Sequence, residues 1–427
     1  MAAIPPVKGT RDFYPEAMAF RTWLYDRVRQ VSQSFGYREY EPPYLERLEL
    51  YTAKSGDELV KEQAYVFPDR GGDLIALRPE LTPSLARMVA ARSAELPRPI
   101  RWWSYGPIWR YERPQKGRSR EFFQWNIDLM GIETAEADAE IAAVAVELFR
   151  AVGLGPDRIR LLVNNRRLAE SKYIGLGVAP EQLAAAFRLV DRRDKMSLST
   201  WISFGLELGL SQASLDGLVR LLTDAQGWRD SPELTAFFEA AEALGAAEYL
   251  QFDATVVRGL DYYTGTVFEA RDREGRFRAI LGGGRYDNLV ADVGGDRIPA
   301  VGFAMGDVTI GLMIQEFGAA PSAPPPPAQV LVCWVDEAAR LESLRLASRL
   351  RQIGLQVEWY PAAERLPRQL KYADRLKIPL AIIVGSRELE QSSLTIKDLR
   401  DGSQITTPRD SVVNRLTLLL ESPRQPC

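Results

Sequence analysis

The 427-residue sequence contains no histidine. That removes Ser-His-Asp and Cys-His machinery, HExxH zinc sites and any imidazole general base. Cysteine is almost as scarce. Cys333 and Cys427 are the only two, too far apart for a metal knuckle and too few for a disulfide framework. No run of about eighteen apolar residues occurs, so no stretch is suited to crossing a bilayer. The opening MAAIPPVKGTRDF lacks the apolar segment of a secretory leader. With so little cysteine, the expected compartment is the cytoplasm. Lysine is also rare, nine against 45 arginines. Arginine's planar fork recognises phosphate and carboxylate bidentately, although a GC-rich coding bias would leave the same excess. The formal charge of −3 excludes a surface coated in positive field and still allows a local basic patch. The remaining chemistry belongs to carboxylates, Arg, Lys, Tyr and amides, with Mg²⁺ as the one plausible metal.

What is present reads as two or three domains with a sizeable core. The clearest boundary is GAAPSAPPPPAQ, residues 318–329, whose four consecutive prolines favour an extended spacer. Beyond it, VLVCWV, LQVEWY and PLAIIVG alternate with helical stretches near 336–353 and 364–376. That rhythm predicts a small α/β domain with a mostly parallel sheet. LTIKDLRDGSQITTP adds two strands around an Asp-Gly turn, and a last helix runs near 408–421. Before the spacer, an amphipathic helix spans 15–35, and further helices cover 82–94 and 134–152. Strand signals fall at 98–113, 120–130, 252–257, 262–271 and 276–281. Arg and Glu alternate there with aromatics, which suggests an antiparallel sheet with one functional face. Residues 166–245 are Ala/Leu-rich with helical spacing and read as a helical insertion.

Four segments carry candidate chemistry. RYERPQKGRSREFFQWNID (110–128) crowds Arg110, Arg113, Lys116, Arg118 and Arg120 around a Pro-Gln-Lys-Gly turn. A hairpin there would put Arg110, Glu112 and Gln124 on one face. The cluster suits a triphosphate or an RNA backbone, or is a solvated charged hairpin; Phe122 and Phe123 favour the former, because a base can stack on an aromatic. In VRGLDYYTGTVFEA (257–270), Arg258 and a tyrosine hydroxyl offer an anion clamp beside a neutral hydrogen-bond partner. If the segment is a strand, Tyr262 and Tyr263 face opposite sides and only one enters a given pocket. LGGGRYDNLV (281–290) is either a tight turn or a close approach of backbone to ligand, with Arg285 and Tyr286 starting a helix. In LRPELT (77–82), Glu80 is a helix cap or the partner of an ammonium group.

With KGTRDFYP (8–15) and GYREYEPPYLE (36–46), the order of these segments resembles the histidyl-tRNA synthetases, class II aminoacyl-tRNA synthetases of class IIa, over nearly the whole chain. The resemblance implies an α/β (α+β) fold: a class II antiparallel sheet flanked by helices with a helical insertion, then a C-terminal α/β anticodon-binding domain. It divides the chain into a catalytic domain (1–165 and 246–320), an insertion (166–245), a linker (321–328) and an anticodon-binding domain (329–427). The implied activity is ATP-dependent ligation of histidine to tRNA(His) through histidyl-adenylate, in a homodimer built on motif 1, with Mg²⁺ bridging the phosphates of ATP and no protein metal site. Glu80, Thr82 and Gln124 are implied to hold the α-amino group of the histidine substrate. Asp128 and Tyr263 are implied to read its ring nitrogens, and Leu81 and Tyr262 are implied for histidine binding as well. Arg258 meets its carboxylate and, with Arg110, the α-phosphate. Glu112, Arg118, Arg120 and Phe122 are implied for the rest of ATP, with Phe122 stacked on adenine. Gln115, Arg113 and Lys116 are implied to meet the tRNA acceptor end.

One departure stands out. Motif 3 usually runs GFAxGxER, and here GFAMGDVTIG puts Thr309 where its ATP-contacting Arg is expected. Either another arginine such as Arg285 substitutes, or the ATP is held differently, or activity is lost; the intact Arg258 and motif 2 arginines favour substitution. The alternative reading of the chain is the synthetase-like regulatory subunit of ATP phosphoribosyltransferase, which typically lacks the anticodon domain and the tRNA-binding loop.

Overall fold

A computed structural model describes residues 4–52, 62–115, 117–257, 262–321 and 324–421. The chain divides into two compact units, residues 1–322 and 323–427.

The first unit is built on an eight-stranded sheet. Its order across the sheet is Arg38–Glu39, Ile100–Trp109, Glu121–Met130, Ala300–Gly306, Leu281–Arg285, Thr266–Asp272, Ile159–Asn165 and Leu250–Phe252. The six inner strands are antiparallel, and each edge strand adds in parallel. This is the antiparallel sheet expected from the sequence. Period-2 alternation sorts the side chains of Glu121–Met130 cleanly. Trp125, Ile127 and Leu129 are buried against the helices Pro15–Ser34 and Ala135–Ala151. Phe122, Gln124, Asn126 and Asp128 point the other way and line a cavity. Each large apolar side chain buried in this way contributes about 1.5–3 kcal/mol. The helix Ala135–Ala151 starts where Thr134 accepts the N–H of Ala137, with Glu136 and Asp138 in its first turn.

Five helices follow the strand Ile159–Asn165 before the chain returns to the sheet at Leu250. Tyr173, Leu189, Trp201, Leu215 and Leu218 give the first four a core of their own, and the Trp201 indole donates to the Leu189 carbonyl at 2.7 Å. The fifth, Pro232–Ala243, is different. Its Leu234, Phe237 and Ala241 belong to the main core beside Ala135–Ala151.

Two strand expectations shift. The signal at 252–257 resolves into a strand at Leu250–Phe252 followed by a turn, and that at 276–281 into a strand at Leu281–Arg285. The glycines form a strand because their neighbours demand it. A Cβ on Gly283 would lie 2.3 Å from the Gly302 carbonyl oxygen and 2.6 Å from the Phe268 ring. No helix starts at Arg285 either; a single short turn begins at Leu289. A small antiparallel sheet of Leu45–Arg47, Leu74–Leu77 and Tyr65–Pro68 was not anticipated, its strands being too short to carry a periodic signal.

In the second unit the sheet order is Val357–Trp359, Val330–Trp334, Leu380–Val384, Ser393–Asp398 and Gln404–Pro408. The first three strands are parallel and the last two antiparallel, so the parallel character is confined to the β-α-β half. Its core joins Val330, Val332, Leu350, Ile382, Ile396 and Leu416.

Candidate active site

The polar face of the eight-stranded sheet opens into a cavity of about 640 Å³, within the range of nucleotide and cofactor pockets. Its floor is the strand Glu121–Met130. There the side chains of Gln124, Asn126 and Asp128 are buried, and Gln124 Oε1, Asn126 Oδ1 and Asp128 Oδ2 have no hydrogen-bond partner among the described residues. Three unpaired buried acceptors in register on one strand are costly unless a ligand supplies donors.

Asp128 is the one of them that titrates. Burial pushes its carboxyl up to about 7, against the lowering effect of a hydrogen bond from the Tyr286 hydroxyl to Oδ1. The carboxylate fits only because residue 302 is glycine; a Cβ there would come within 2.1 Å of Asp128 Oδ1. Asn126 and Tyr286 went unassigned in the sequence, although alternation from Gln124 and Asp128 marks Asn126 as a face neighbour.

Glu80 and Thr82 border the same cavity, where the loop from Leu74–Leu77 enters the helix Thr82–Ala91. Tyr262 and Tyr263 both line it, with rings 4.9 Å apart, and the Tyr262 hydroxyl donates to Glu80 Oε2 at 3.4 Å. The expectation that only one tyrosine could enter a pocket is therefore wrong. The strand begins at Thr266, so residues 262–263 escape its alternation. Leu81 is corrected too. Its side chain is fully buried and does not line the cavity.

Arg110, Glu112, Arg118 and Phe122 line the other end. Arg110 donates to the Pro79 carbonyl at 2.9 Å and lies 5.5 Å over the Phe122 ring; burial draws its guanidinium below the usual arginine range. Arg118 pairs with Glu112 at 2.8 Å. Arg120 departs from its expected place. Its guanidinium lies over the Tyr111 ring at 4.1 Å and its Nε donates to the Glu112 carbonyl, away from the cavity lining. The backbone explains this, because Arg120 N donates to the Gly9 carbonyl at 2.7 Å and the side chain packs along residue 9. The KGTRD segment thus braces the loop from beneath, and Arg11 adds an ion pair to Asp307 at 2.8 Å. Arg113 and Gln115 are exposed on the loop outside the cavity. Lys116 and Arg258 lie outside the described residues.

Arg285 does not serve the nucleotide end. It is buried, held by Asp138 and Asp287 and by the carbonyls of Ile132 and Thr134, and it is absent from the cavity wall. As a strand residue it alternates away from the site. Thr309 does line the cavity, beside Gly306 and Val308. So do Asp191, Asp194 and Lys195, from the end of the helix Leu183–Asp191 and the turn after it, with Asp194 bridging to Arg271 at 2.8 Å. The charge-dense DRRDK, set in an Ala/Leu-rich stretch, was the signal for that approach.

With this geometry in view, comparison with known proteins decides the lineage. The profile of the histidyl-tRNA synthetase family matches residues 9–308, and that of the anticodon binding domain matches residues 329–418. This chain belongs to the histidyl-tRNA synthetase family. It is 40% identical over 417 residues to a histidine–tRNA ligase of Haloarcula marismortui, covering 94% of this chain and 95% of the relative. It is 39% identical to that of Thermoplasma volcanium over the same shares. A histidyl-tRNA synthetase structure from Nostoc sp. PCC 7120 superposes with a TM-score of 0.81 at 23% identity, covering 98% of this chain and 99% of the other, a likeness of fold. Among the described residues of this family member, no helix is long and apolar enough to cross a membrane.

Proposed function

We propose that this synthetase-family chain ligates histidine to tRNA(His), first making histidyl-adenylate and then passing the acyl group to the terminal adenosine. The observation that carries the reading is the row of unpaired acceptors from Gln124, Asn126 and Asp128, with Glu80 and Thr82 beside it. An amino acid with an ammonium group and an imidazole N–H supplies donors of the kind such a row lacks. Glu80, Thr82 and Gln124 hold the ammonium. Asp128, with Tyr263, reads the ring.

The nucleotide lies at the other end. Its adenine stacks on Phe122, Arg110 meets the α-phosphate, and Arg118 reaches the outer phosphates after exchanging Glu112 for them. Arg258 binds the carboxylate of histidine. Held there, that carboxylate attacks the α-phosphorus in line and pyrophosphate leaves, a step governed by positioning and charge neutralisation. A ribose hydroxyl of tRNA then takes the acyl group and AMP is released. No step uses a histidine side chain, which accords with a sequence that has none.

Mg²⁺, bound with ATP, would supply charge neutralisation on the phosphates. Among the described residues no group of three carboxylates could hold it without the nucleotide. Glu112 and Glu269 are carboxylates facing the cavity, and one or two carboxylates with substrate phosphates are what Mg²⁺ ordinarily uses. Gln115, Arg113 and Lys116 meet the acceptor end of tRNA, and residues 329–427 bind the anticodon. The enzyme acts as a cytoplasmic homodimer. The matched anticodon binding domain weighs against the regulatory-subunit alternative.

Histidine-dependent ATP–pyrophosphate exchange, followed by charging of tRNA(His), tests the reading. The expected result is exchange that requires histidine. Its absence at saturating ATP would overturn the assignment.

A further inference from the structure

The cation missing at position 309 leaves the nucleotide end short of one guanidinium, and Arg285 is committed elsewhere. Five Arg and Lys side chains line the cavity among the described residues, and four have partners. Arg110 donates to the Pro79 carbonyl, Arg118 pairs with Glu112, Lys195 with Asp191, and Arg271 with Asp194 and Glu269. Arg278 has neither hydrogen bond nor ion pair among the described residues.

Its position is informative. Arg278 stands in the connection between Thr266–Asp272 and Leu281–Arg285 and is exposed at the cavity's rim. Gly117, in the turn of the 110–120 loop, fixes where it lies. A Cβ on Gly117 would be 3.8 Å from Arg278 Cδ and 3.7 Å from Thr309 Oγ1. Arg278 and Thr309 therefore flank the same point of the loop, one with a free guanidinium and the other with a short hydroxyl. An arginine at 309 would have brought its charge to the space beside Gly117. Arg278 brings one there from a different strand connection.

We propose that Arg278 replaces the motif 3 arginine and binds the β- and γ-phosphates of ATP beside Gly117. The proposal rests on the reading of this cavity as the ATP site. It assigns the outer phosphates because the unpaired fork can take two phosphate oxygens, whereas the stacking partner of adenine is already available in Phe122.

The test compares wild type with Arg278→Ala and Arg278→Lys, in the full chain. Calorimetric titration reads affinity for ATP and for AMP, and exchange kinetics read KM for ATP and for histidine. In R278A the Kd and KM for ATP are expected to rise about ten- to a hundredfold, the loss of a charge-assisted contact. AMP affinity and the histidine KM should stay within about twofold, because neither ligand carries the outer phosphates. R278K should fall between, since lysine binds phosphate only as a point charge. Unchanged ATP affinity in R278A would overturn the proposal, and so would an equal loss for ATP and AMP, which would move the side chain to the adenine. The side chain is exposed, and thermal melting checks that R278A stays folded. Titration needs no turnover, so a wild-type protein that binds ATP without exchange would count against the synthetase reading alone, while the ATP-to-AMP ratio still decides Arg278.

Discussion

Replacing Asp128 by Asn separates the cost of a buried carboxylate from its use. The carboxyl is pushed from an ordinary 3.8 to about 7 by burial. The folded protein therefore holds a proton there that the unfolded chain has released, across the interval between those values. Stability from this group is fully present below about pH 4 and declines as pH rises through about 7. Over the whole interval the loss is at most roughly 4 kcal/mol, and between pH 5 and 8 roughly 3 kcal/mol. An amide at the same place does not titrate. Constant costs, such as an unpaired amide hydrogen, cancel when the two proteins are compared at two pH values. D128N should thus gain roughly 3 kcal/mol relative to wild type on going from pH 5 to pH 8, read from thermal or urea melting. At pH 8, where the carboxyl is ionised, the substitution should raise the KM for histidine about 10- to 150-fold over wild type, the worth of a hydrogen bond to a charged group, with the ATP KM unmoved. Melting curves of the two proteins that shift in parallel between pH 5 and 8 would refute the burial argument. A histidine KM equal to wild type would refute the assignment of the ring to Asp128.

Three other outcomes follow from the geometry. Glu80→Gln removes the charge from the ammonium end, and the histidine KM in pyrophosphate exchange should rise about tenfold or more. Arg285→Ala leaves Asp138 buried without its partner and should cost about 3–5 kcal/mol in melting experiments; a specific loss of ATP affinity with unchanged stability would instead return Arg285 to the nucleotide. Gly283→Ala drives a Cβ against the Gly302 carbonyl, and because backbone cannot rotate aside it should cost about 3 kcal/mol or more, seen as a lowered melting temperature or as insoluble protein.

Part of the floor of the site was readable in advance because a strand imposes alternation. Asp128 was assigned through the family resemblance, and alternation explains why it shares the face of Gln124, so that both line the cavity. The same rule misled at Tyr262 and Tyr263, where the backbone is not yet a strand and both rings turn inward. Gly282–Gly284 read as a turn because glycine's freedom is a local property. The real constraint at Gly283 is the carbonyl of Gly302 and the ring of Phe268, on two neighbouring strands that no local window contains. Arg120 and Arg285 were assigned to ATP by their motifs, yet backbone pairing with Gly9 and the buried carboxylates of Asp138 and Asp287 claim them first. Arginine's chemistry was legible, but which anion it meets depends on contacts across more than a hundred residues of chain.

The sheet order also bears on synthesis. Ala300–Gly306, among the last strands of the first unit to leave a ribosome, lies between Glu121–Met130 and Leu281–Arg285. Until it emerges, those two earlier strands each present an open hydrogen-bonding edge, and the pocket has no back wall. Such edges invite pairing with other nascent chains, and closure through distant segments is slow. Fragments ending before residue 300 should therefore aggregate instead of yielding a half-active core.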